Sequence, residues 1–235
     1  MGLWAAMPAA HAQALVKVGI TPAGQPASGL NQDTKAPEGF AVEIMQAISA
    51  DAGLSLQFQA MPFGELQQAL AERRIDTIAG SFGITSERQK VVDFTHPYGS
   101  YRDVVKASNT AAFKSVSDLK GMKIATSRGS SYVKPLEDAG ADLSLSATPP
   151  ESIAKLQAGS VDGIIDNGLQ ANFLLRMSGN SGLRTVASYQ PILVGHLAFA
   201  VRKGDADLLM KIDRSLSKLE AAGTVAAIKA KWGLD

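Results

Sequence analysis

The sequence has no cysteine, no block of like charges and, after its first residues, no long apolar run. The absence of cysteine excludes disulfides, so the fold must be stabilised by ordinary packing, and 235 residues are enough to bury a substantial core. The formal net charge of +1 does not indicate a nucleic-acid partner or an anionic membrane surface. Beyond residue 14 no segment approaches the ~18 apolar residues of a membrane helix, so we expect no membrane span there.

The first 14 residues, MGLWAAMPAAHAQA, are mostly apolar and small. Ala10-His11-Ala12 fits the A-x-A pattern that precedes signal-peptide cleavage, although the basic start of a signal is missing and Lys17 is the first cation. We interpret residues 1–14 as the remnant of a secretory signal and expect an exported protein. An N-terminal segment without this role is the alternative.

Strand and helix patterns alternate through the chain in two units of similar size. Strands are predicted at 15–20, 54–59, 75–79, 101–108, 123–126, 143–147, 163–166 and 197–201, with helices between most of them. Short β-α-β crossovers predict parallel sheets covered by helices. We therefore predict an α/β fold of two lobes with the second inserted into the first. Residues 15–101 and 196–235 form lobe 1, residues 102–195 form lobe 2, and the two crossings make a hinge.

The stretch GSFGITSERQKVVDF, residues 80–94, begins where a predicted buried strand ends. Open α/β sheets bind ligands at the carboxyl ends of their strands, and the small residues Gly80 and Ser81 let a ligand approach the backbone. Thr85 can cap a short helical turn that carries Arg88, whose guanidinium matches a carboxylate. A solvated surface arginine is the alternative.

Two further polar segments follow predicted strands. Residues 127–131, SRGSS, lead into a helix, where free N–H groups suit an anion, although serine at a helix start is more often only a cap. Asp166 comes at the carboxyl end of an apolar strand, where it can accept a hydrogen bond from an ammonium group or cap the next helix.

These segments resemble the bacterial periplasmic amino-acid-binding proteins, family 3 of the extracellular solute-binding proteins. AGSFGITSER with VVDFTHPY behind it is similar to the family's AGMTITPER and VDFSxPY. Similar blocks occur in the family's order along nearly the whole chain: VKVGIT, GFAVEI, DLKGMKIA, VDGIID, FAVRKGD and AAGTVAAIKAKWG.

The resemblance implies a two-lobed type II periplasmic binding protein that closes on a small carboxylate, foremost an amino acid. It also implies a periplasmic monomer that delivers its ligand to the membrane permease of an ABC importer, with no cofactor, metal or nucleic acid. The implied ligand-binding residues are Phe63, Gly80, Ser81, Gly83, Arg88, Ser130, Ser131 and Asp166. In the family the arginine, its loop and the serine loop bind the α-carboxylate, and the aspartate binds the α-ammonium. Phe63 matches an apolar wall, with plain core packing as the alternative.

Five positions depart from the family's pattern. Gly83 replaces a serine or threonine, Gly24 and Ala27 replace aromatic residues, and Thr21 and Ala41 replace aspartates. We therefore expect a roomier, less charged pocket that does not favour a basic amino acid. A bulkier or non-amino-acid carboxylate stays open.

A few proteins of this fold are enzymes, notably cyclohexadienyl dehydratases, so a lyase is the alternative function. Glu43, His96 and His196 are the candidate acid-base groups, but none lies in a recognisable catalytic motif. The three histidines are scattered without metal-ligand spacing. We expect a binding protein with no catalytic residues.

Overall fold

The computed structural model describes residues 14–107, 113–177 and 184–234. Of the predicted signal remnant, residues 1–13 lie outside the described residues, and Ala14 already belongs to the first strand. Residue 108, the predicted end of a strand, also lies outside them. None of the described helices is both long and apolar enough to cross a bilayer.

Strands and helices alternate along much of the described chain. The strands are β1 (Ala14–Ile20), β2 (Ala23–Gly24), β3 (Ser28–Leu30), β4 (Pro37–Glu38), β5 (Leu54–Ala60), β6 (Thr77–Ile78), β7 (Val92–Phe94), β8 (Gly99–Ala107), β9 (Lys123–Ser127), β10 (Asp142–Ser146), β11 (Gly163–Asn167), β12 (Arg184–Thr185), β13 (Val194–Leu197) and β14 (Ala200–Arg202). The helices are α1 (Phe40–Ala52), α2 (Leu66–Ala71), α3 (Ser86–Gln89), α4 (Val133–Asp138), α5 (Pro149–Gln157), α6 (Gly168–Met177), α7 (Ala206–Ala221) and α8 (Thr224–Lys231). Short 3₁₀ turns cover Phe63–Glu65 and Val116–Leu119.

The first lobe is built on a five-stranded sheet in the order β5-β1-β6-β14-β7. Strand β1 runs parallel to β5 and β6, as the short crossovers predict, whereas β14 returns antiparallel to β6 and β7. Helix α1 packs its apolar face into the core, with Ile44, Met45 and Ile48 fully buried. It ends at Gly53, whose φ of 65° continues the chain in the left-handed region that glycine favours.

The second lobe is built on a sheet in the order β10-β9-β11-β8-β12. Strand β9 is parallel to both β10 and β11, while the long strand β8 is antiparallel to β11 and β12. The carboxyl ends of β9 and β11 therefore lie side by side. This arrangement brings the serine loop after β9 and Asp166 in β11 to one edge of the sheet.

Two strands join the lobes, which confirms the predicted insertion and hinge. Strand β13 pairs antiparallel with the start of β8, from Gly99 opposite Leu197 to Arg102 opposite Val194. Asp103 is fully buried and fixes the neighbouring segment, since it accepts hydrogen bonds from the Tyr189 hydroxyl (2.7 Å) and the Leu193 N–H (2.7 Å). The lobe boundaries at 101/102 and 195/196 stay a prediction.

Three local predictions need correction. The strand predicted at 197–201 is two strands, because β13 pairs across the hinge with β8 whereas β14 joins the first-lobe sheet. The strand predicted at 75–79 shortens to β6, and Asp76 instead uses its carboxylate to accept the N–H of Lys17 at 2.8 Å. The loop predicted up to Glu38 contains the small antiparallel sheet β2-β3-β4.

Candidate ligand-binding cleft

A cavity of about 680 Å³, counting its opening to solvent, lies between the two lobes. The first lobe contributes the connection after β1, the turn at Phe63, Ser81 and Arg88, and the second lobe contributes the loops after β9, β10 and β11. The lining residues are Thr21, Pro22, Ala23, Gly24, Pro62, Phe63, Ser81, Arg88, Tyr101, Ser127, Ser130, Ser131, Tyr132, Ala147, Thr148, Pro149, Asp166, Asn167 and Gln170.

Arg88 is a buried cation held in place by neutral groups. Thr85 Oγ1 accepts the Arg88 N–H at 3.2 Å and so caps α3, as predicted. The guanidinium lies over the Phe82 ring, with its central carbon 4.0 Å from the ring centroid, and donates to the Gly83 carbonyl at 2.8 Å. A second nitrogen donates across the cleft to the Gly129 carbonyl at 3.2 Å.

Arg88 forms no ion pair with any carboxylate of the described residues. Its side chain keeps free donors, since a guanidinium carries five N–H groups. Burial lowers the pKa of Arg88 to about 10, so the group stays charged at neutral pH. A buried cation without a charged partner is costly, so its free donors can accommodate an anion in the cavity.

Asp166 is the complementary buried anion on the second lobe. It is 5% exposed, its Oδ1 accepts the Asn167 N–H at 2.7 Å, and its Oδ2 lies 3.5 Å from the Ser127 hydroxyl. Burial raises the pKa of Asp166 to about 6, and within the described residues it has no cationic partner. The cap at the start of α6 is supplied by Asn167, whose Oδ1 accepts the Leu169 N–H at 2.9 Å. Asp166 is therefore available for a cation in the cavity.

The structure brings six of the eight predicted site residues into the cavity wall. These are Phe63, Ser81, Arg88, Ser130, Ser131 and Asp166. Gly80 and Gly83 do not line the cavity, and their carbonyls already accept hydrogen bonds from the Tyr98 hydroxyl (2.5 Å) and from Arg88. Direct ligand contact remains a prediction for all eight.

The five unusual positions divide into three groups. Thr21 and Gly24 line the cavity, and a Cβ on Gly24 would lie 2.1 Å from Thr21 Oγ1, so glycine makes room for that threonine. Ala27 and Ala41 are buried in the core of the first lobe and do not line the cavity. At Gly83 a Cβ would lie 2.1 Å from the hydroxyl of Tyr101.

Several lining residues were not predicted from the sequence, notably Tyr101, Tyr132, Thr148 and Gln170. The Tyr132 hydroxyl is buried without a hydrogen-bond partner in the described part of the chain, and so is the Ser81 hydroxyl. Gln170 Nε2 reaches across the cleft to within 3.4 Å of the Ala23 carbonyl. For the two tyrosines, only their position in the sequence could have indicated a place in the cavity wall, since Tyr132 follows the serine loop and Tyr101 lies in the predicted hinge.

The candidate acid-base residues do not line the cavity. Glu43 accepts hydrogen bonds from Lys231 Nζ (2.9 Å) and Trp232 Nε1 (3.0 Å), which ties α1 to the end of α8. His96 lies between the carboxylates of Asp213 and Glu220, each at 2.8 Å. His196 is exposed in β13. Among the described residues no cluster of three or more potential ligands is arranged to hold a metal ion.

Sequence and structure comparisons both find solute-binding proteins as relatives of this chain. Residues 16–235 match the model of the bacterial extracellular solute-binding proteins, family 3. The "Probable amino-acid-binding protein YxeM" of Bacillus subtilis (strain 168) is 30% identical over 202 residues, which cover 83% of this chain and 75% of that protein. The "L-cystine-binding protein TcyJ" of Escherichia coli (strain K12) is 27% identical over 198 residues, covering 83% of this chain and 73% of that protein.

The fold matches solved structures over nearly its whole length. An ancestral arginine-binding protein bound to glutamine superposes with a TM-score of 0.87 at 27% identity, covering 94% of this chain and 99% of that one. The predicted fold class is confirmed. With the family match over almost all described residues, the chain belongs to the bacterial extracellular solute-binding proteins, family 3.

Proposed function

We propose that this protein is a periplasmic receptor that binds an amino acid between its lobes and delivers it to the permease of an ABC importer. The names of its relatives support this proposal, since YxeM and TcyJ are named for amino-acid and cystine binding. In this proposal the protein acts as a monomer and carries out no chemical step.

One observation carries the proposal. Arg88 and Asp166 are both buried, line the same cavity from opposite lobes, and form no ion pair with each other or with any other described residue. Burying an unpaired charge is costly, so two such groups of opposite sign in one cavity indicate a ligand that carries both complementary charges. An α-amino acid is such a ligand, with its carboxylate on Arg88 and its ammonium on Asp166.

The charge of the cavity restricts the ligand's side chain. Apart from Arg88 and Asp166, the lining residues are uncharged. A lysine-like or glutamate-like side chain would therefore lose its hydration without gaining a partner of opposite charge. We propose an amino acid with a neutral side chain, and L-glutamine and L-cystine are the first candidates, since the first is bound in a similar structure and the second is named for a relative.

A thermal-shift screen tests this function, because a ligand that binds only the folded state raises the melting temperature. The screen compares the 20 standard L-amino acids and L-cystine with simple carboxylic acids and simple amines. We expect stabilisation only by compounds that carry both charges, foremost neutral amino acids. Stabilisation by a simple acid or amine as large as that by any amino acid would contradict the two-charge site, and slow consumption of the ligand, followed by NMR, would favour the lyase.

A further inference from the structure

The hydroxyl of Tyr101 lies in the cavity wall without a partner among the described residues. Tyr101 belongs to hinge strand β8, is 7% exposed and lines the cavity. Its hydroxyl makes no hydrogen bond to any described residue, in contrast to the buried hydroxyls of Tyr98 and Tyr189, which donate to Gly80 and Asp103. A phenol at such a site usually has a hydrogen-bond partner. Because Tyr101 lines the cavity, a ligand in the cavity can supply this partner.

Two glycines form the slot that holds the Tyr101 ring. Gly195 lies opposite Tyr101 in the pairing of β13 with β8, and a Cβ on Gly195 would lie 2.7 Å from the ring carbon that bears the hydroxyl. A Cβ on Gly83 would lie 2.1 Å from the hydroxyl oxygen itself. Real Cβ atoms do not approach other atoms so closely, so any side chain at either position would displace the phenol.

The same slot places the hydroxyl beside Arg88. The Gly83 carbonyl accepts a hydrogen bond from the guanidinium at 2.8 Å, and the phenol hydroxyl fills the space where a Cβ of residue 83 would lie. The phenol and the guanidinium are therefore both next to Gly83. The other phenol of the wall, Tyr132, has a buried hydroxyl without a partner in the described chain. Hydroxyl groups that can donate thus lie in the same cavity wall as the buried guanidinium. Such a set of donors can bind an anionic oxygen.

We propose that Tyr101 is a ligand-binding residue whose hydroxyl donates to the same carboxylate as Arg88, and that Gly83 and Gly195 are small because they house its ring. This inference rests on the proposed function. It also explains Gly83: the chain lacks a side-chain hydroxyl at that position because the Tyr101 hydroxyl occupies the space. The ligand class is therefore a carboxylate with an oxygen free to accept from a phenol.

The test starts with Tyr101→Phe, which removes only the hydroxyl. The probes are the 20 standard L-amino acids and L-cystine, and the compound that most stabilises the wild type is then titrated by calorimetry. We expect the affinity to fall about 10- to 100-fold, as for loss of a hydrogen bond to a charged group, with an unchanged melting temperature of the free protein. Tyr189→Phe is the matched control, since its hydroxyl serves Asp103 outside the cavity. It should lower the melting temperature and leave the affinity within about threefold.

A residue swap tests the shared space. Gly83→Ser should weaken binding, because the serine side chain would collide with the Tyr101 phenol. In the double variant Gly83→Ser/Tyr101→Val the phenol is gone, so the serine hydroxyl can occupy the space that the phenol hydroxyl filled. We expect the double variant to bind more tightly than Gly83→Ser alone.

Wild-type affinity in Tyr101→Phe, or equal losses in Tyr101→Phe and Tyr189→Phe, would overturn the role of Tyr101 and leave the proposed function standing. A wild type that no probe stabilises would overturn both.

Discussion

At the scale of single residues, the candidate site contains two buried charges that form no ion pair among the described residues. A buried arginine and a buried aspartate in one cavity could have been placed to neutralise each other. Among the described residues, however, the Arg88 guanidinium donates to two carbonyls, and the Asp166 carboxylate accepts from an N–H and weakly from a hydroxyl. We therefore expect the free protein to be less stable than a version with neutral groups at these positions, and we expect the ligand of the proposed function to supply the missing charges.

Asp166→Asn tests the ammonium side of the site. The variant should bind its amino acid at least about tenfold more weakly at pH 7.5, because an amide does not carry the charge that complements an ammonium. Its ligand-free form should be about 1 to 3 kcal/mol more stable than the wild type at pH 7.5, because a buried carboxylate without a cation is removed. Calorimetry and urea unfolding measure the two effects, and a variant that loses both binding and stability would count against this account.

The pH dependence of binding follows from the raised pKa of Asp166. Burial raises this pKa from 3.8 to about 6, so the folded, free protein takes up a proton at a pH where the unfolded chain does not. The contribution of Asp166 to the stability of the free protein therefore rises as the pH falls from about 7 to 4. Affinity for an ammonium ligand should fall over the same range in the wild type, whereas Asp166→Asn should show no such fall.

At the scale of elements, periodicity in the sequence predicted the helices well. The apolar spacing of Ile44, Met45 and Ile48 indicates a helix and the glycine at position 53 indicates its end, and α1 does end there, because these local signals do not depend on the rest of the chain. The same holds for Thr85, which caps α3 as its sequence context indicates. The family resemblance, combined with the predicted strand ends, gave eight candidate site residues, and six of them lie in the cavity wall.

Features that depend on distant partners could not be read from local sequence. The apolar run 197–201 looks like one strand, but its two halves pair with different sheets, which only the tertiary fold decides. The slot for Tyr101 combines Gly83 and Gly195, which are more than a hundred residues apart in sequence. Nor could composition reveal that Ala27 and Ala41 lie in the core while Thr21 lies in the cavity wall.

The loop after β9 approaches the first lobe backbone to backbone. A Cβ on Gly129 would lie 2.8 Å from the Cα of Gly64, and the Gly129 carbonyl accepts from Arg88. Gly129→Ala should therefore hold the lobes apart and raise the ligand dissociation rate by about tenfold, a change of about 1.4 kcal/mol.

Gly121→Ala is the matched control for this prediction. Gly121 and Gly129 have φ values of 73° and 76°, so alanine strains the backbone similarly at both, by about 1 to 2 kcal/mol. A Cβ on Gly121, however, meets nothing within 4 Å. Stopped-flow dissociation should separate the two variants; equal rates would mean that backbone strain, not contact between the lobes, sets the effect.

At the scale of the whole molecule, long-range contacts connect the segment before hinge strand β8 to helix α7. His96 lies between β7 and β8, and its two ring nitrogens meet the carboxylates of Asp213 and Glu220 on α7. Burial alone would lower the pKa of His96, but the hydrogen bonds to Glu220 and Asp213 outweigh it and raise the pKa above 6.5. The stabilisation from this contact is therefore full below pH 6.5 and is lost as the pH rises through the higher folded-state value.

His96→Asn tests this contact. The urea midpoint of the variant should lie below that of the wild type at pH 5.5, and the gap should narrow toward pH 9, as the imidazole of the folded protein loses its proton. A gap of the same size at both pH values would show that the charge of His96 does not contribute. Ligand affinity at a fixed pH should change little, since His96 does not line the cavity.

The measurement that tests the central claim most directly is calorimetric titration of wild type and Arg88→Met with the amino acid that most stabilises the wild type, at pH 7.5. Methionine fills similar space without the charge, so the variant should fold with equal or greater stability. We predict one binding site per wild-type chain and a loss of about 100-fold or more in Arg88→Met, because the ligand carboxylate would be buried without its cation. Wild-type affinity in a folded Arg88→Met protein would contradict the claim that this buried charge binds the ligand.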